Sequence, residues 1–327
     1  MASHPGSMDA PHLPVLYKTI ITALQPKSTG RYIDGTLGAG GHSAGILAES
    51  APDGEILGFD LDPQALAIAR ERLASFGKRI HIVQASYTTM KEEAAKLGWE
   101  AVDGIVLDFG VSSMQLDTPE RGFSFIHDGP LDMRFTPSGF GATPYASLSA
   151  ADLVNSTAEA ELADIIFRYG EERLSRKIAR AIVNNRPIGT TKELADLILK
   201  HIGKKERIHP ATRTFQALRI VVNGELESIE TVLPLAVSLL RSPDPKSGKP
   251  GGRLAVISFH SLEDRLVKEY FRRESTDCIC PPRQPICTCG HKASIIEINR
   301  KPLEASEEEI LANSRARSAK LRVAEKK

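Results

Sequence analysis

Carboxylates that follow short apolar segments, together with one glycine-rich turn, are the residues of this chain best suited to chemistry. Asp34 opens the sequence DGTLGAGGHS (34–43), and Asp60 and Asp108 each close another apolar segment. Glycine lets the backbone take positive φ and lets a ligand approach closely. The helical pattern that follows from Ala44 would present free N–H groups at its start. The pattern therefore predicts a ligand site made from strand ends, a turn and a helix N-terminus.

The spacing of the glycines and the acids around them indicate which ligand fits. Gly38, Gly40 and Gly41 do not match the G-x-G-x-x-G spacing of dinucleotide-binding proteins. Asp60 ends a predicted strand, where a carboxylate can accept both hydroxyls of a ribose. Asp34 is expected to add a second negative charge that faces the same crevice. Two such charges suit S-adenosylmethionine, which carries positive charge and no phosphate. The alternative is a structural turn whose acids cap neighbouring backbone groups.

The elements that would position these residues follow from the alternation of short apolar segments with helical patterns. The predicted strands are 31–34, 54–60, 80–83, 103–108, one strand within 250–259, and 294–299. Helical periodicity over 63–76 and 89–97 separates the early strands. Almost wholly apolar strands that alternate with helices are typical of a parallel sheet covered on both faces. In such α/β sheets, ligands bind at the carboxyl ends of the strands.

A helical part is predicted to interrupt the sheet. Residues 110 to about 145 are rich in Gly, Pro, Ser and Asp and are predicted to form a loop. Loops of this length inside a domain are usually functional or disordered. The helical patterns that follow are 149–153, 158–169, 173–184 and 191–201. One long helix over 212–240 is then expected to return toward the sheet, despite the kink expected at Pro234.

Composition places the chain among ordinary globular proteins. Of 327 residues, 41% are hydrophobic and 25% are charged, and the net charge is +1. A nucleic-acid partner would therefore be held by local basic patches rather than by the overall field. No apolar run approaches the ~20 residues of a membrane span, and the first residues lack the apolar core of a signal peptide. These observations predict a cytoplasmic protein that does not enter a membrane.

The four cysteines form two closely spaced pairs, Cys278-Ile-Cys280 and Cys287-Thr-Cys289. The proline-rich spacer between the pairs can bring four thiolates together around a tetrahedral zinc ion. C-x-C is a less usual zinc spacing than C-x-x-C, so exposed reduced thiols are the alternative. We predict no metal at the reaction site and regard these four thiols as zinc candidates.

Six longer motifs occur in the order found in a known family. They are DGTLGAGGHS (34–43), DFGVSSMQLD (108–117), RGFSF (121–125), GPLDMR (129–134), ATRTFQALRI (211–220) and ISFHSLEDR (257–265). The chain resembles the bacterial RsmH (MraW) family, which methylates N4 of a cytidine in the decoding region of 16S rRNA. The resemblance implies a class I, Rossmann-like methyltransferase sheet with an inserted all-helical domain. It implies S-adenosylmethionine as the cofactor and 16S rRNA or the small ribosomal subunit as the partner. The implied cofactor contacts are Gly40, Gly41, His42, Asp60, Tyr87, Asp108 and Gln115.

The chemistry of the acceptor directs attention to the segment after the fourth strand. The exocyclic amine of cytosine is a poor nucleophile because its lone pair is delocalised into the ring. A hydrogen-bond acceptor can localise that pair and stabilise the charge that develops. DNA amino-methyltransferases have a stacking aromatic residue here, whereas this chain has Asp108-Phe-Gly-Val-Ser-Ser. The hypothesis is that Asp108 orients the amine or the methionine end of the cofactor, and that Ser112 and Ser113 shape the loop around the base. The alternative is that Asp108 only caps the next turn.

Several other residues have a structural interpretation at least as strong as a functional one. Tyr87 follows the third strand, where it can pack against an adenine or lie in the core. Asp132 and Arg134 can form an ion pair that fixes a loop. His260 can accept a proton, or it can cap a helix that starts at Ser261, and we favour the cap.

The predicted domain organisation follows the motifs. It comprises a disordered tail (1–11), a discontinuous methyltransferase domain (12–112 and 209–312), a helical insertion for RNA recognition (113–208) and a basic tail (313–327). The predicted RNA contacts are Arg173, Arg176, Lys177 and Arg180 in the insertion, and Arg315, Arg317, Lys320 and Arg322 in the tail. The alternatives are a methyltransferase of proteins or small molecules and a non-catalytic, RNA-binding assembly factor. The apolar helices of the insertion leave a homodimer open.

Overall fold

The computed structural model describes residues 14–136, 145, 147–203, 208–284 and 286–327, apart from the side chain of Ser113. The predicted disordered tail (1–11) lies outside these residues. The chain divides into two compact units: the first holds the residues up to Phe109 together with Leu235–Lys327, and the second is Gly110–Pro234. The α-helices are α1 Tyr17–Leu24, α2 Gly41–Glu49, α3 Pro63–Leu73, α4 Met90–Lys96, α5 Ser113–Asp117, α6 Ala150–Ser156, α7 Glu159–Gly170, α8 Ser175–Val183, α9 Thr191–Ile202, α10 Thr212–Asn223, α11 Glu225–Leu239, α12 Ser261–Glu274 and α13 Glu307–Ala312.

The first unit is built on one mixed sheet. Its strands are β1 Arg31–Asp34, β2 Glu55–Asp60, β3 Ile80–Gln84, β4 Gly104–Asp108, β5 Arg253–Ser258, β6 Ile295–Glu297, β7 Leu303–Glu304 and β8 Lys320–Lys326. Their order is β3-β2-β1-β4-β5-β8-β6, and β7 pairs with β8. Strands β1 to β5 run parallel, whereas β8 runs antiparallel to β5. The order reverses between β1 and β4, which is the switch point where α/β sheets bind ligands.

Apolar side chains on both faces of the central strands explain why these segments form a parallel sheet. Tyr32, Ile33, Ile56 and Leu57 are each no more than 1% exposed, as are the apolar residues of β4. Helices α1, α2 and α3 contribute buried aliphatic side chains to the cluster on the sheet. The predicted strands agree with β1 to β4 to within one residue, whereas β6 ends two residues before the predicted 294–299. The α/β fold class with a largely parallel sheet is confirmed.

The predicted basic tail (313–327) is wrong as a tail, because it contains a strand of the sheet. Residues Ser314–Ser318 form a 3₁₀ helix, and β8 then lies between β5 and β6. Leu321, Val323 and Arg322 are all at most 4% exposed. Lys320, Arg322 and Lys326 interrupt the apolar residues of this segment, so its composition does not indicate a strand that is buried on both faces.

The second unit is helical around its own core. Helices α6 to α10 surround buried residues that include Leu153, Leu162, Ile166, Ile182 and Phe215. The predicted loop from 110 to 145 contains α5 and a 3₁₀ turn at Pro119–Arg121, and residues 137–144 lie outside the described part. The unit extends beyond the predicted insertion (113–208), since α10 packs against α7.

The single long helix predicted over 212–240 is two helices. Gly224 adopts a left-handed conformation with φ 58° and ends α10 before α11 begins at Glu225. Pro234, where a kink was expected, lies within α11. Among the described helices, none has both the length and the apolar character needed to cross a bilayer.

Candidate functional site

Asp34 braces the glycine-rich turn from inside the first unit. Its carboxylate is 1% exposed and accepts hydrogen bonds from the N–H of Thr36 (3.1 Å) and from the hydroxyl of Ser43 (2.7 Å). These bonds tie the end of β1 to both the turn and the first turn of α2. Burial raises the pKa of Asp34 to about 6, although the hydrogen bonds from Ser43 and Thr36 lower it. The expectation that this carboxylate faces a ligand is therefore wrong, because its oxygens shape the turn.

The glycines at the start of α2 are required by close packing behind the turn. Gly40 precedes α2 with φ 77°, and a Cβ built on it would lie 2.9 Å from Cδ1 of Leu73. A Cβ on Gly41 would lie 3.0 Å from Cγ of Pro14. No described side chain caps α2, so its first N–H groups remain for a ligand, as expected for an uncapped helix start.

Asp60 lies at the end of β2 beside the same turn. Its Oδ2 accepts a hydrogen bond from the N–H of Gly38 (2.8 Å), and its Oδ1 accepts one from the N–H of Asp62 (2.8 Å). Burial raises the pKa of Asp60, and these two backbone bonds act in the opposite direction. Each carboxylate oxygen can accept a second hydrogen bond, so the carboxylate can still receive the two hydroxyls of a ribose.

Asp108 ends β4, and its carboxylate has fewer hydrogen bonds than those of Asp34 and Asp60. Its N–H donates to Oγ1 of Thr36 (2.6 Å), and its Oδ2 lies 3.9 Å from Nδ1 of His42. Its Oδ1 is buried and receives no hydrogen bond from the described part of the chain. Burial raises the pKa of Asp108 well above its usual range, and the charges of Asp34 and Glu263 raise it further. A hydrogen-bond donor at Oδ1 would pair this buried oxygen, and a cation there would also offset the burial and the negative neighbours that disfavour the charged carboxylate.

His42 beside it is neutral. Its Nε2 lies 3.0 Å from the carbonyl oxygen of Val15, and the ring is 5% exposed. Because a carbonyl oxygen only accepts, Nε2 carries the hydrogen and Nδ1 presents its lone pair toward Asp108. Burial lowers the pKa of His42 to about 4. His42 therefore orients the start of α2 without supplying a positive charge to the neighbouring carboxylate.

Tyr87 completes the group of predicted residues in the first unit. It begins a 3₁₀ turn, Tyr87–Thr89, just after β3, and its half-buried ring lies 6.0 Å from the ring of Phe109. Phe109 immediately follows Asp108, so Tyr87 lies next to the carboxyl end of β4. Six predicted cofactor residues thus share the carboxyl edge of the sheet: Gly40, Gly41, His42, Asp60, Tyr87 and Asp108.

Ser112, Ser113 and Gln115 lie in the second unit, at the start of α5. The side chain of Ser112 accepts from the N–H of Gln115 (3.3 Å), and Oε1 of Gln115 accepts from the N–H of Ser112 (2.9 Å). This reciprocal pair is a capping box, which stabilises a helix start, and the sequence analysis did not predict it. Ser113 is the first residue of α5, and its side chain lies outside the described part. The predicted contacts of these three residues with base and cofactor stay predictions.

Two structural interpretations made from the sequence are confirmed. The Arg134 guanidinium donates to both carboxylate oxygens of Asp132 at 2.9 and 2.7 Å. Burial raises the pKa of Asp132, but the Arg134 hydrogen bonds and charge outweigh it and lower the pKa overall. His260 caps α12, since its Nδ1 accepts from the N–H of Glu263 (3.4 Å) and Glu263 accepts from the N–H of His260 (3.2 Å).

The two predicted basic clusters differ in exposure. Arg173 and the α8 residues Arg176, Lys177 and Arg180 are exposed, and the opposite face of α8 is buried. In the C-terminal cluster, Arg317 is exposed, whereas Arg322 is 4% exposed and donates to both oxygens of Asp264 at 2.7 and 3.1 Å. Arg322 is therefore wrong as a predicted RNA contact, because its charge is used inside the sheet domain.

Three residues that set the hydrogen bonding and electrostatics of the site were not predicted from the sequence. Oγ1 of Thr36 accepts from the backbone N–H of Asp108, and the hydroxyl of Ser43 donates to the carboxylate of Asp34. Glu263, which is fully buried, adds negative charge near Asp108. Thr36 and Ser43 lie inside the glycine motif, two and nine residues after Asp34. Their position in the motif could have indicated that they bond to the residues at the strand ends. Glu263 is far away in sequence and offers no such indication.

The residues at this edge fit S-adenosylmethionine better than a phosphate-bearing ligand. Asp60 and Asp108 would repel phosphate, and the neutral His42 would not attract it. The buried Oδ1 of Asp108 and the raised pKa of its carboxyl both favour a ligand that carries positive charge. The chemistry that such a group supplies when bound is an electrophilic methyl carbon on a cationic sulfur.

Comparison with known proteins agrees with this chemistry. Residues 9–327 match the model of the MraW methylase family. A protein of Geobacter sp. (strain M21) named ribosomal RNA small subunit methyltransferase H is 52% identical over 97% of this chain and 99% of its own length. A Dehalococcoides mccartyi protein of the same name is 51% identical over 97% of this chain and 86% of its own length. A solved rRNA methylase from Streptococcus thermophilus covers 95% of this chain and 93% of its own at 10% identity, but its TM-score of 0.39 adds nothing to the topology. The chain belongs to the MraW methylase family, and the predicted methyltransferase class with S-adenosylmethionine as cofactor is confirmed.

Proposed function

We propose that this protein transfers a methyl group from S-adenosylmethionine to N4 of a cytidine in the decoding region of 16S rRNA, within the small ribosomal subunit. The observation that carries the proposal is the match to relatives named for small-subunit rRNA methylation at about half identity over almost the whole chain. The match includes both units, so it covers the helical unit as well as the sheet. The atom and the position on the RNA rest on the family resemblance of the motifs.

The residues of the first unit would bind the methyl donor along the edge of the sheet. Asp60 accepts the ribose hydroxyls with the lone pairs that its two backbone bonds leave over. The first N–H groups of α2 and the peptides around Gly40 and Gly41 line the turn against which the ligand lies. Tyr87 offers its half-buried ring to the adenine. Asp108 would accept the cationic end of the ligand, because a nearby positive charge favours the ionised form of the carboxyl that burial and its acidic neighbours disfavour.

Asp108 is also placed to act on the amine of the acceptor. When it accepts an amine N–H through Oδ1, it raises electron density on the nitrogen whose lone pair must attack the methyl carbon. The carbon–sulfur bond breaks as the nitrogen–carbon bond forms, and its electron pair stays on sulfur. The nitrogen then carries one proton too many, and the carboxylate of Asp108, which already accepts an N–H of the amine, is placed to take it. In-line alignment of nitrogen, carbon and sulfur accounts for much of the remaining acceleration.

The second unit would contribute to RNA binding through the exposed cations before and along α8. Among the described residues, no acidic side chain pairs with Arg176 or Lys177, and Nε of Arg180 lies 3.3 Å from Oε1 of the exposed Glu159. Exposed ion pairs of this kind are weak, so phosphate can compete for Arg180. A cluster of this size suits a substrate with many phosphates. A small-molecule substrate would not require a cluster of phosphate contacts of this kind.

The test is methylation of small subunits that lack the modification. Subunits and labelled S-adenosylmethionine are incubated with the protein, and the RNA is digested to nucleosides for mass spectrometry. We expect label in N4-methylcytidine, mapped to the decoding region by nuclease protection. Label in a protein, in C5 of cytosine or in a ribose would contradict the proposed acceptor. Tight subunit binding without any label would favour the non-catalytic assembly factor.

A matched pair of variants ties the result to the site. Asp60→Ala should abolish labelling by removing the ribose contact. Glu92→Gln removes one acidic charge from the exposed face of α4 and should leave labelling unchanged. Equal labelling by both variants would show that the edge of the sheet is not where the donor binds.

A further inference from the structure

Four thiols converge on the surface of the first unit, far along the chain from the carboxylates of the site. Cys278, Cys280, Cys287 and Cys289 lie between α12 and β6, and their Sγ atoms all lie within 4.8 Å of one another. All four are free thiols, and three of them are exposed. The methyl-transfer proposal makes no use of them.

The separations between the sulfur atoms are those of ligands on one metal ion. Zinc binds thiolate sulfur at about 2.3 Å in a tetrahedron, which places any two sulfurs about 3.8 Å apart. Cys287 Sγ lies 3.6 Å from Cys289 Sγ, and Cys289 Sγ lies 3.9 Å from Cys278 Sγ. A disulfide would instead need about 2.0 Å between two of the atoms. The distances therefore match a shared central ion and not a pair of oxidised cysteines.

The described residues of the surrounding loop do not hold these thiols together by apolar packing. Its base is fixed, since the N–H of Ala293 donates to Asp277 (3.0 Å) and the N–H of Ser294 donates to the carbonyl of Glu274 (2.8 Å). Beyond that base, Ile279 and Ile286 are 48% and 75% exposed, and the residues described on either side of position 285 form no apolar core. A loop without buried side chains does not bring four sulfurs into contact by hydrophobic packing.

A backbone amide supports a metal-bound thiolate at one of the four positions. The N–H of Ile279, between the first two cysteines, donates to Sγ of Cys289 (3.5 Å). Hydrogen bonds from the second shell are a regular feature of metal ligands. His291, the nearest imidazole in the sequence, has its Nε2 3.0 Å from the carbonyl oxygen of Arg273 and is therefore engaged elsewhere.

We propose that Cys278, Cys280, Cys287 and Cys289 bind one zinc ion as a tetrathiolate. Four protein ligands complete the tetrahedron and leave no open position for water or substrate, so the ion is structural and not catalytic. It would hold the loop between α12 and β6 in one conformation. Any divalent metal that favours a tetrahedral thiolate set, such as cobalt, should occupy the same site.

The experiment measures metal in the full chain, purified with a reducing agent and without chelator. We expect about one zinc per chain by mass spectrometry of the metal, with all of it released when the thiols are alkylated. After chelation, added cobalt should give the charge-transfer and d–d absorption of a tetrahedral thiolate complex. Cys278→Ser together with Cys289→Ser should lose the zinc and these bands.

Controls make the result decisive even if the cysteine variant folds poorly. Ile286→Ser changes an exposed residue of the same loop and should keep the metal. Circular dichroism and S-adenosylmethionine binding of the double variant should match the original protein, because the thiols lie outside the proposed methyl-transfer site. Zinc below about a tenth of an equivalent, absent cobalt bands and freely reactive thiols would together overturn the proposal. Equal metal content in the original and double variant would overturn it as well, by placing the ion elsewhere.

Discussion

Replacing Asp34 with asparagine should make the ligand-free protein more stable at neutral pH, although the carboxylate makes two hydrogen bonds. The side chain is 1% exposed, and burial raises its pKa from 3.8 to about 6. At pH 7 the charged form must be buried on folding. That difference in pKa corresponds to about 3 kcal/mol against folding.

Asparagine keeps the local bonds while removing the charge. Its Oδ1 can accept from the N–H of Thr36, and its amide can donate to Oγ of Ser43, which then accepts instead of donating. The expected gain for Asp34→Asn is therefore up to about 3 kcal/mol at pH 7. Asp53→Asn, on an exposed turn of the same unit, should change stability by less than about 0.5 kcal/mol.

The pH dependence of the stability difference shows whether the effect of Asp34→Asn comes from the removed charge or from changed packing. Below pH 3.8 the carboxyl is protonated in both states, so the penalty is absent. Between that value and about pH 6 the folded state holds a proton that the unfolded state has lost, so stability falls as pH rises. Above pH 6 the loss is complete and constant. The advantage of Asp34→Asn over the original protein should therefore grow across this window and then level off.

Denaturant unfolding followed by tryptophan fluorescence can measure this difference in stability within the first compact unit. Trp99 is the only tryptophan of the chain, is 3% exposed, and lies in the first unit with Arg31 over its ring at 5.6 Å. Curves for both proteins at several pH values between 4 and 7.5 give the difference directly, and contributions from unchanged carboxylates cancel. A difference that does not vary with pH, or an Asp34→Asn protein that is less stable throughout, would refute the reasoning.

The remaining predictions concern charge in and around the same sheet. Asp108→Asn should lower kcat/KM for small-subunit methylation about 10- to 150-fold, the cost of losing a hydrogen bond to a charged group; loss of S-adenosylmethionine affinity without loss of kcat would assign Asp108 to the cofactor alone. Arg322→Met should destabilise the first unit by about 1–3 kcal/mol, because Asp264, whose side chain is 13% exposed, loses two hydrogen bonds and retains Lys320 at 4.0 Å, and an unchanged denaturation midpoint would contradict this. Arg317→Glu should leave stability within about 0.5 kcal/mol but weaken subunit methylation while cofactor affinity is unchanged; loss of both would indicate misfolding.

The strands of the sheet could be predicted because their apolar runs depend only on local composition. β1 was predicted with its observed ends, and β2 to β4 to within one residue. β8 could not be predicted in this way, because Lys320, Arg322 and Lys326 break the apolar run. Arg322 is tolerated at a buried position through its pair with Asp264, on α12, and its hydrogen bond to the carbonyl oxygen of Arg300. A contact between segments so far apart in sequence cannot be predicted from the local pattern of apolar residues.

The candidate site was predictable to a similar depth. Acids at strand ends and glycines in a turn identified the edge of the sheet where the candidate site lies. What the pattern could not show is which acid faces the ligand, because that depends on which hydroxyls and amides occupy its oxygens. Asp34 and Asp108 each end an apolar strand, so they look alike in sequence. The Ser43 hydroxyl and the Thr36 N–H donate to the carboxylate oxygens of Asp34, whereas Oδ1 of Asp108 has no partner in the described chain.

This difference explains why the fold tolerates a carboxylate whose charge it disfavours. Asp108 lowers the stability of the ligand-free protein, because Asp34 and Glu263 repel it and burial desolvates it. A cation bound at Oδ1 reverses the sign of the local electrostatics and lowers the pKa of Asp108. Binding then stabilises the fold by mass action. S-adenosylhomocysteine lacks the sulfonium charge, so it should bind with less benefit from Asp108 than S-adenosylmethionine does. Asp108→Asn should narrow the affinity ratio of the two ligands; a ratio that does not change would place the sulfonium away from this carboxylate.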